Sequence, residues 1–273
     1  MRKVLFLILM ISALSGCASL PVNYPRTPTT ALLHPEETRT WKMIQRQLDT
    51  HPGDSGFYLL PSGVDAFVAR ILLINAAERT LDLQYYIFHG DITPKLVVDR
   101  MLAAADRGVR IRLLVDDWNI RGKDPVLAMI NAHPNIEVRV FNPVAGRRSA
   151  FLSRPLQYVF GAGRIKNRMH NKAFVVDNTV AIVGGRNIGD EYFHAQPDVN
   201  FEDLDIMAMG PITKGVSSAF DEYWNHELAI PIRAFVSQEP SAEDIQKARR
   251  TLDDHREAMK AKEYGRSLRE SDR

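Results

Sequence analysis

The sequence predicts an α/β domain built on a mainly parallel sheet, with helices covering both faces. Two observations lead there. Short, almost continuously apolar runs rich in β-formers alternate with segments whose apolar residues recur at helical spacing, the pattern of strand–helix–strand units. The composition, 45% hydrophobic and 25% charged over 273 residues, is that of an ordinary globular chain. It excludes a disordered polyelectrolyte and a polytopic membrane protein. A single cysteine excludes a disulfide scaffold and a thiolate zinc site.

The chain begins with a cationic Met1-Arg2-Lys3 and an apolar run from Val4 to Leu14. That run is too short for a hydrocarbon core that needs roughly 20 residues. It ends in Leu14-Ser15-Gly16-Cys17, and the order of charge, apolar run and small residues resembles a bacterial lipoprotein signal. The resemblance implies that residues 1–17 are a leader and that Cys17 is acylated, anchoring the protein to a bilayer without spanning it. Ala18 after the cysteine resembles lipoproteins sent to the outer membrane, so the expected location is the periplasmic side of the cell envelope. A plain secretory signal with an incidental cysteine, or a short buried helix, is the simpler alternative. Without Arg2 and Lys3 the chain carries 33 basic and 33 acidic residues, so no global charge favours nucleic acid.

Residues 18–35, with Pro21, Pro25, Pro28 and Pro35, read as an extended tether. A polar helix is expected over 36–49, a strand over 57–60 and a helix over 64–77. A β-rich run follows over 81–88, then a helix over 94–105 closed by Gly108. Next come a strand over 109–115 interrupted by two arginines, a short helix over 125–132 and a strand over 136–141. In such sheets the chemistry gathers at the C-terminal ends of strands, where Asp116-Asp117 and Tyr85-Tyr86 fall. Asp116 and Asp117 line a pocket or only cap strands, and they stay outside the candidate set. From 142 to 169 no long periodic element is seen. Between Glu137 and Asp177 there is no carboxylate, but there are Arg139, Arg147, Arg148, Arg154, Arg164, Lys166, Arg168 and Lys172, which suggests an anion-attracting rim.

This basic stretch runs into His170-Asn171-Lys172, then Asp177, Gly184-Gly185 and Asn187. Residues 170–176 read as a strand, in which positions i and i+2 point the same way. His170 and Lys172 then converge on one phosphate, the imidazole as nucleophile or acid and the ammonium as charge for a phosphoryl oxygen. Asp177-Asn178 is a turn signal, and Val180 to Val183 returns as a second strand. Gly185 lets substrate approach backbone, and the Asn187 amide can donate to a phosphoryl oxygen. Asp177 is seven residues from His170 and cannot share its face of a regular strand; it is either catalytic or a turn residue. Downstream, a carboxylate from Asp203 can hold the His170 ring, with Asp205 as the alternative. No His spacing for a metal and no H-E-x-x-H are seen, so metal-independent, cofactor-free chemistry is expected.

The pattern H-x-K-x4-D-x6-G-G-x-N is the signature of the phospholipase D superfamily, which this chain resembles through one such motif. Longer stretches, Leu81 to Tyr86, Ala104 to Asp117, Asn167 to Lys172 and Gly184 to Tyr192, resemble the C-type branch of bacterial cardiolipin synthases over about residues 36–235. The resemblance implies an α/β/α sandwich and phosphatidyl transfer or phosphodiester hydrolysis through a phosphohistidine. The implied catalytic set is His170, Lys172, Asp177, Asn187 and Asp203, with Lys172, Asn187, Gly185 and Arg168 at the substrate phosphate. Placing the acidic residue seven before Gly210 is what selects Asp203. The implied substrates are anionic or zwitterionic phospholipids, and nucleic acid is disfavoured.

Enzymes of that branch carry two motifs in one chain, and this sequence has one. Residues 236–273 read instead as a charged helix capped by Ser241, with a narrow stripe of Ile245, Leu252 and Met259, and a polar tail from Gly265. The half-domain is then completed by a second copy across a two-fold axis or by a separately encoded second half. A single-motif phosphodiesterase acting on nucleic acid and an inactive truncated half are the competing readings.

Overall fold

A computed structural model of the chain describes residues 21–120, 122–143, 168–196 and 198–271. The leader with Cys17, and most of the basic stretch (144–167), lie outside the described residues. One sheet contains β1 (Gly56–Leu60), β2 (Thr80–Tyr85), β3 (Arg110–Asp116), β4 (Ile136–Phe141), β5 (Ala173–Val176), β6 (Val180–Gly184), β7 (Asp205–Met209) and β8 (Ala229–Pro231). Their spatial order is β1-β7-β6-β5-β2-β3-β4-β8.

The expectation of a mainly parallel sheet needs correcting. Only β2–β3 and β3–β4 are parallel pairs. The strands on either side are antiparallel, because a tight hairpin joins β5 to β6 and β7 and β8 each run back down the sheet. A three-residue turn, 177–179, cannot make the crossover that a parallel pair requires. The consequence matters for the site. β5 runs opposite to β2, so the start of β5 lies at the same sheet end as the C-termini of β2 and β3.

Helices α1 (Arg39–Thr50), α2 (Gly63–Ala76), α3 (Ile92–Asp106), α4 (Asp124–Asn131), α5 (Pro211–Asn225), α6 (Ala242–Lys260) and α7 (Glu263–Ser271) surround the sheet. Alternation along β3 shows how both faces are buried. Ile111, Leu113 and Val115 point into the larger core with Phe67, Ile74, Val97 and Met101, whereas Leu114 joins Phe220 and Trp224 of α5. Arg112, one of the two arginines interrupting β3, lies on the α5 side. Its guanidinium pairs with Asp82 at 2.6 Å and sits 4.8 Å from the Phe220 ring centroid. Two helix-covered faces around one sheet make the expected α/β/α sandwich. Among the described residues no helix is long and apolar enough to cross a membrane.

Two further expectations change. The part of the proline-containing segment within the described residues is docked rather than free. Thr27 and Thr29 carbonyls accept from Arg139 and Arg112, and the Trp224 indole donates to Thr29 Oγ1 at 2.9 Å. Buried arginines need acceptors, and this strap supplies them. The polar tail beyond Gly265 is also helical. A side chain at 265 would collide with the Met259 carbonyl, so glycine there lets α7 fold back on α6 and pack Tyr264 and Leu268 against the core.

Candidate active site

The site is assembled where β5 begins. The ladder starts at Ala173, opposite Gln84, so His170 to Lys172 lie in an irregular lead-in rather than in the strand itself. β2 has run out of partners by then, and the backbone must be held otherwise. Asp116, at the end of β3, does this: its carboxylate accepts from the Met169 N–H at 2.9 Å and from the Trp118 N–H at 2.8 Å. One buried side chain therefore ties the lead-in of the motif to the turn after β3.

His170 is exposed and Lys172 is largely buried. The Lys172 ammonium donates to the His170 carbonyl at 2.7 Å and stands 3.1 Å from each ring nitrogen. The two groups meet at one point. Burial, and then the charge of Lys172, push the imidazole below its ordinary value, while Asp203 opposes the shift. Burial also pushes the Lys172 ammonium down, again opposed by Asp203. A neutral imidazole beside a cation can attack phosphorus while the cation meets a phosphoryl oxygen.

The two carboxylates left open by the sequence separate cleanly. Asp205 is fully buried, pairs with Arg70 at 2.9 Å and accepts from the Arg186 N–H, which commits it to the core. Asp203 is partly exposed, and its charge is felt by both His170 and Lys172. The glycine pair makes room for this arrangement. A Cβ on Gly184 would collide with Asp205 and the Leu204 carbonyl, and one on Gly185 would collide with the Asp203 carboxylate. Gly185 therefore admits Asp203, which is the close approach its lack of a side chain serves.

Other candidates fall elsewhere. Asp177, grouped above with the catalytic residues, is at the opposite end of β5, about 20 Å along an extended chain from His170. Its carboxylate accepts from the backbone N–H groups of Glu78, Arg79 and Thr80 and from Thr40 Oγ1 at 2.7 Å. It is a clamp on the start of β2, and it touches no reacting group. Asn187 is buried, and its Oδ1 accepts from the Ile87 N–H at 2.9 Å. Through Oδ1 it braces the segment after β2. Arg168 turns to Asp116 at 3.2 Å and to the Asn142 carbonyl, so its guanidinium is engaged beside the site.

Two features go beyond the candidate set, although the sequence puts the first of them, Tyr86, at a strand end where chemistry gathers. Tyr86 places its ring 4.8 Å from the His170 ring, tilted by 57°. Alternation at the end of β2 could have suggested it, since Tyr85 is buried against Arg70 and the next residue must face the other way. The fold also gathers His89, Asp91 and Glu191, whose ligand atoms lie within 4.8 Å of one another, although the histidine spacing suggested no metal-ligand set. Glu191 Oε1 is 3.4 Å and Asp91 Oδ2 3.8 Å from His89 Nδ1. The Asp91 carboxylate, and then that of Glu191, raise the His89 pKa against the lowering effect of burial.

Comparison with known proteins identifies the family. The family described as cardiolipin synthase, PLD-like domain, matches residues 71–224. Cardiolipin synthase C of Escherichia coli (strain K12) is 48% identical over 183 residues, which cover 67% of this chain and 38% of that protein. The major cardiolipin synthase of Bacillus subtilis (strain 168) is 28% identical over 173 residues, covering 63% of this chain and 33% of that protein. Among solved structures, phosphatidylserine synthase from Haemophilus influenzae Rd KW20 shares the fold, with a TM-score of 0.51 and 13% identity over 82% of this chain and 49% of that one. The chain spans less than half the length of each of these relatives.

Proposed function

From the premise that the chain belongs to the cardiolipin synthase, PLD-like family, we propose that it is one catalytic half of a phosphatidyl-transferring or phosphodiester-hydrolysing enzyme acting on phospholipids. The observation that carries this reading is the meeting of an exposed imidazole and a largely buried ammonium at the open end of the sheet. A ring nitrogen of His170 attacks phosphorus, an N–P bond forms, and the P–O bond to the departing alcohol breaks. Lys172 meets the charge that builds on the phosphoryl oxygens. The departing oxygen takes a proton from a second imidazole, a general-acid task worth roughly 10²–10⁴ in rate. The acceptor alcohol, or water, then gives its proton back to the second imidazole and attacks the same phosphorus; an O–P bond forms, the N–P bond breaks, and His170 is released.

The second imidazole comes from a second copy of the chain or from a separate half carrying its own motif. The basic residues preceding His170 also favour a second reading, a phosphodiesterase that cuts nucleic acid. Acylation at Cys17 would hold the domain at the periplasmic side of the envelope, with the outer membrane favoured, and so beside phospholipid rather than nucleic acid.

The deciding experiment offers the full chain labelled phosphatidylglycerol in mixed-lipid vesicles and, separately, supercoiled plasmid. Label appearing in a two-phosphate lipid or in phosphatidic acid supports the proposal. Nicking without lipid turnover replaces it with the nuclease reading. Specific activity that falls on dilution identifies pairing of two copies, and activity only on adding a second half identifies a split enzyme.

The electrostatics predict a pH signature. Because burial and Lys172 lower the His170 pKa, the neutral nucleophile persists below the ordinary histidine value of about 6.5. The acid limb of kcat/KM is therefore expected below that pH. Asp203 raises the His170 pKa, so Asp203→Asn is expected to move the limb to still lower pH. A limb that stays in place in this variant would remove Asp203 from the site.

A further inference from the structure

We infer that Tyr86 is a positioning residue for the proposed phosphoryl transfer: its ring is the wall that fixes the plane of the His170 imidazole and keeps the Lys172 ammonium beside it. This inference rests on the function proposed above. His170 needs such a wall because its own backbone is not in a ladder and its side chain is exposed. An imidazole on an irregular segment samples several rotamers, of which few aim a nitrogen at the phosphorus that Lys172 addresses. The Tyr86 ring lies 4.8 Å from the imidazole, within the range of favourable tilted aromatic contacts. Its centroid is 5.6 Å from Lys172 Nζ, inside the reach of a cation–π contact. One aromatic ring therefore touches both reacting groups.

The wall is itself held from both sides. The Asn119 side chain lies beside the phenol, and the following N–H, that of Ile87, donates to Asn187. Asn119 belongs to the turn after β3, whose Trp118 N–H is held by Asp116. Asp116 also holds the Met169 N–H, immediately before His170. Asp116 therefore holds both the turn that carries Asn119 to the phenol and the segment that carries His170 to the Tyr86 ring.

The ring also covers one face of the imidazole. Partial burial is the main cause of the depressed His170 pKa, so removing the ring should let that pKa rise. The test uses the full chain with Tyr86→Leu, which removes the aromatic wall, and Tyr86→Phe, which keeps it. The first readout is the NMR titration of the His170 ring, assigned by the signal that vanishes in His170→Asn. The second is steady-state phosphatidyl transfer in phosphatidylglycerol vesicles.

In Tyr86→Leu the His170 midpoint is expected to rise and kcat to fall about tenfold or more, with KM changing less than about threefold. Tyr86→Phe is expected to rescue most of both effects. A Tyr86→Leu protein whose folded fraction titrates and turns over like the unmodified chain overturns the inference. So does a Tyr86→Phe defect as large as that of Tyr86→Leu, which would place the role on the hydroxyl. If the unmodified chain turns over no phosphodiester, the proposed function fails, while the titration still decides whether Tyr86 orders the imidazole.

Discussion

His170→Ala is expected to lower phosphodiester turnover by at least about 10³-fold while leaving the melting temperature essentially unchanged. Both halves of that expectation follow from placement. The imidazole is the group that forms the covalent bond to phosphorus, and Lys172 alone can polarise a phosphodiester but cannot split one displacement into two. The residue is also exposed and lies in a segment held by Asp116 through Met169, so truncation opens no core cavity. Labelled phosphatidyl transfer, read beside thermal unfolding, checks both. Turnover that survives in a folded His170→Ala protein would falsify the covalent mechanism.

Asp177→Ala is expected to produce the opposite pattern: a large loss of stability with little change in the turnover of the protein that remains folded. Its carboxylate gathers three backbone N–H groups, those of Glu78, Arg79 and Thr80, together with the Thr40 hydroxyl. It does so from a fully buried position and a left-handed backbone with φ of 49°. Removing it strands these donors where the chain enters β2, at a cost of about 3–5 kcal/mol. For a domain of this size that corresponds to a melting temperature lower by about 6–20 °C. Asp177→Asn keeps one acceptor oxygen and should recover part of the loss. Differential scanning calorimetry and an active-fraction-corrected kcat separate the outcomes. A stable Asp177→Ala protein with abolished turnover would return the residue to the chemistry.

These paired predictions show where reading the chain locally stops being sufficient. The motif presents His170, Lys172 and Asp177 as equals. Seven residues of extended chain separate the first from the last, and that distance already argues against a shared site. The partners that give Asp177 its role sit almost a hundred positions earlier, which no local pattern reveals. Asn187 has a second role of the same kind: its Oδ1 accepts from the Ile87 N–H a hundred positions earlier, a partner no local pattern reveals.

What the amino-acid sequence determined by itself was local and periodic. Apolar spacing marked most strands and helices, Gly108 marked the end of α3 with φ of 96°, and the His-x-Lys pair marked the reacting groups. Tertiary structure alone decided which strands run parallel, that Asp205 is committed to Arg70, and that Asp116 and Tyr86 hold the imidazole in place. The physical reason is the same throughout. Periodicity and backbone preference act between neighbours along the chain, whereas charge pairing, ring contact and the capture of buried N–H groups act between neighbours in space, and only the folded sheet brings those together.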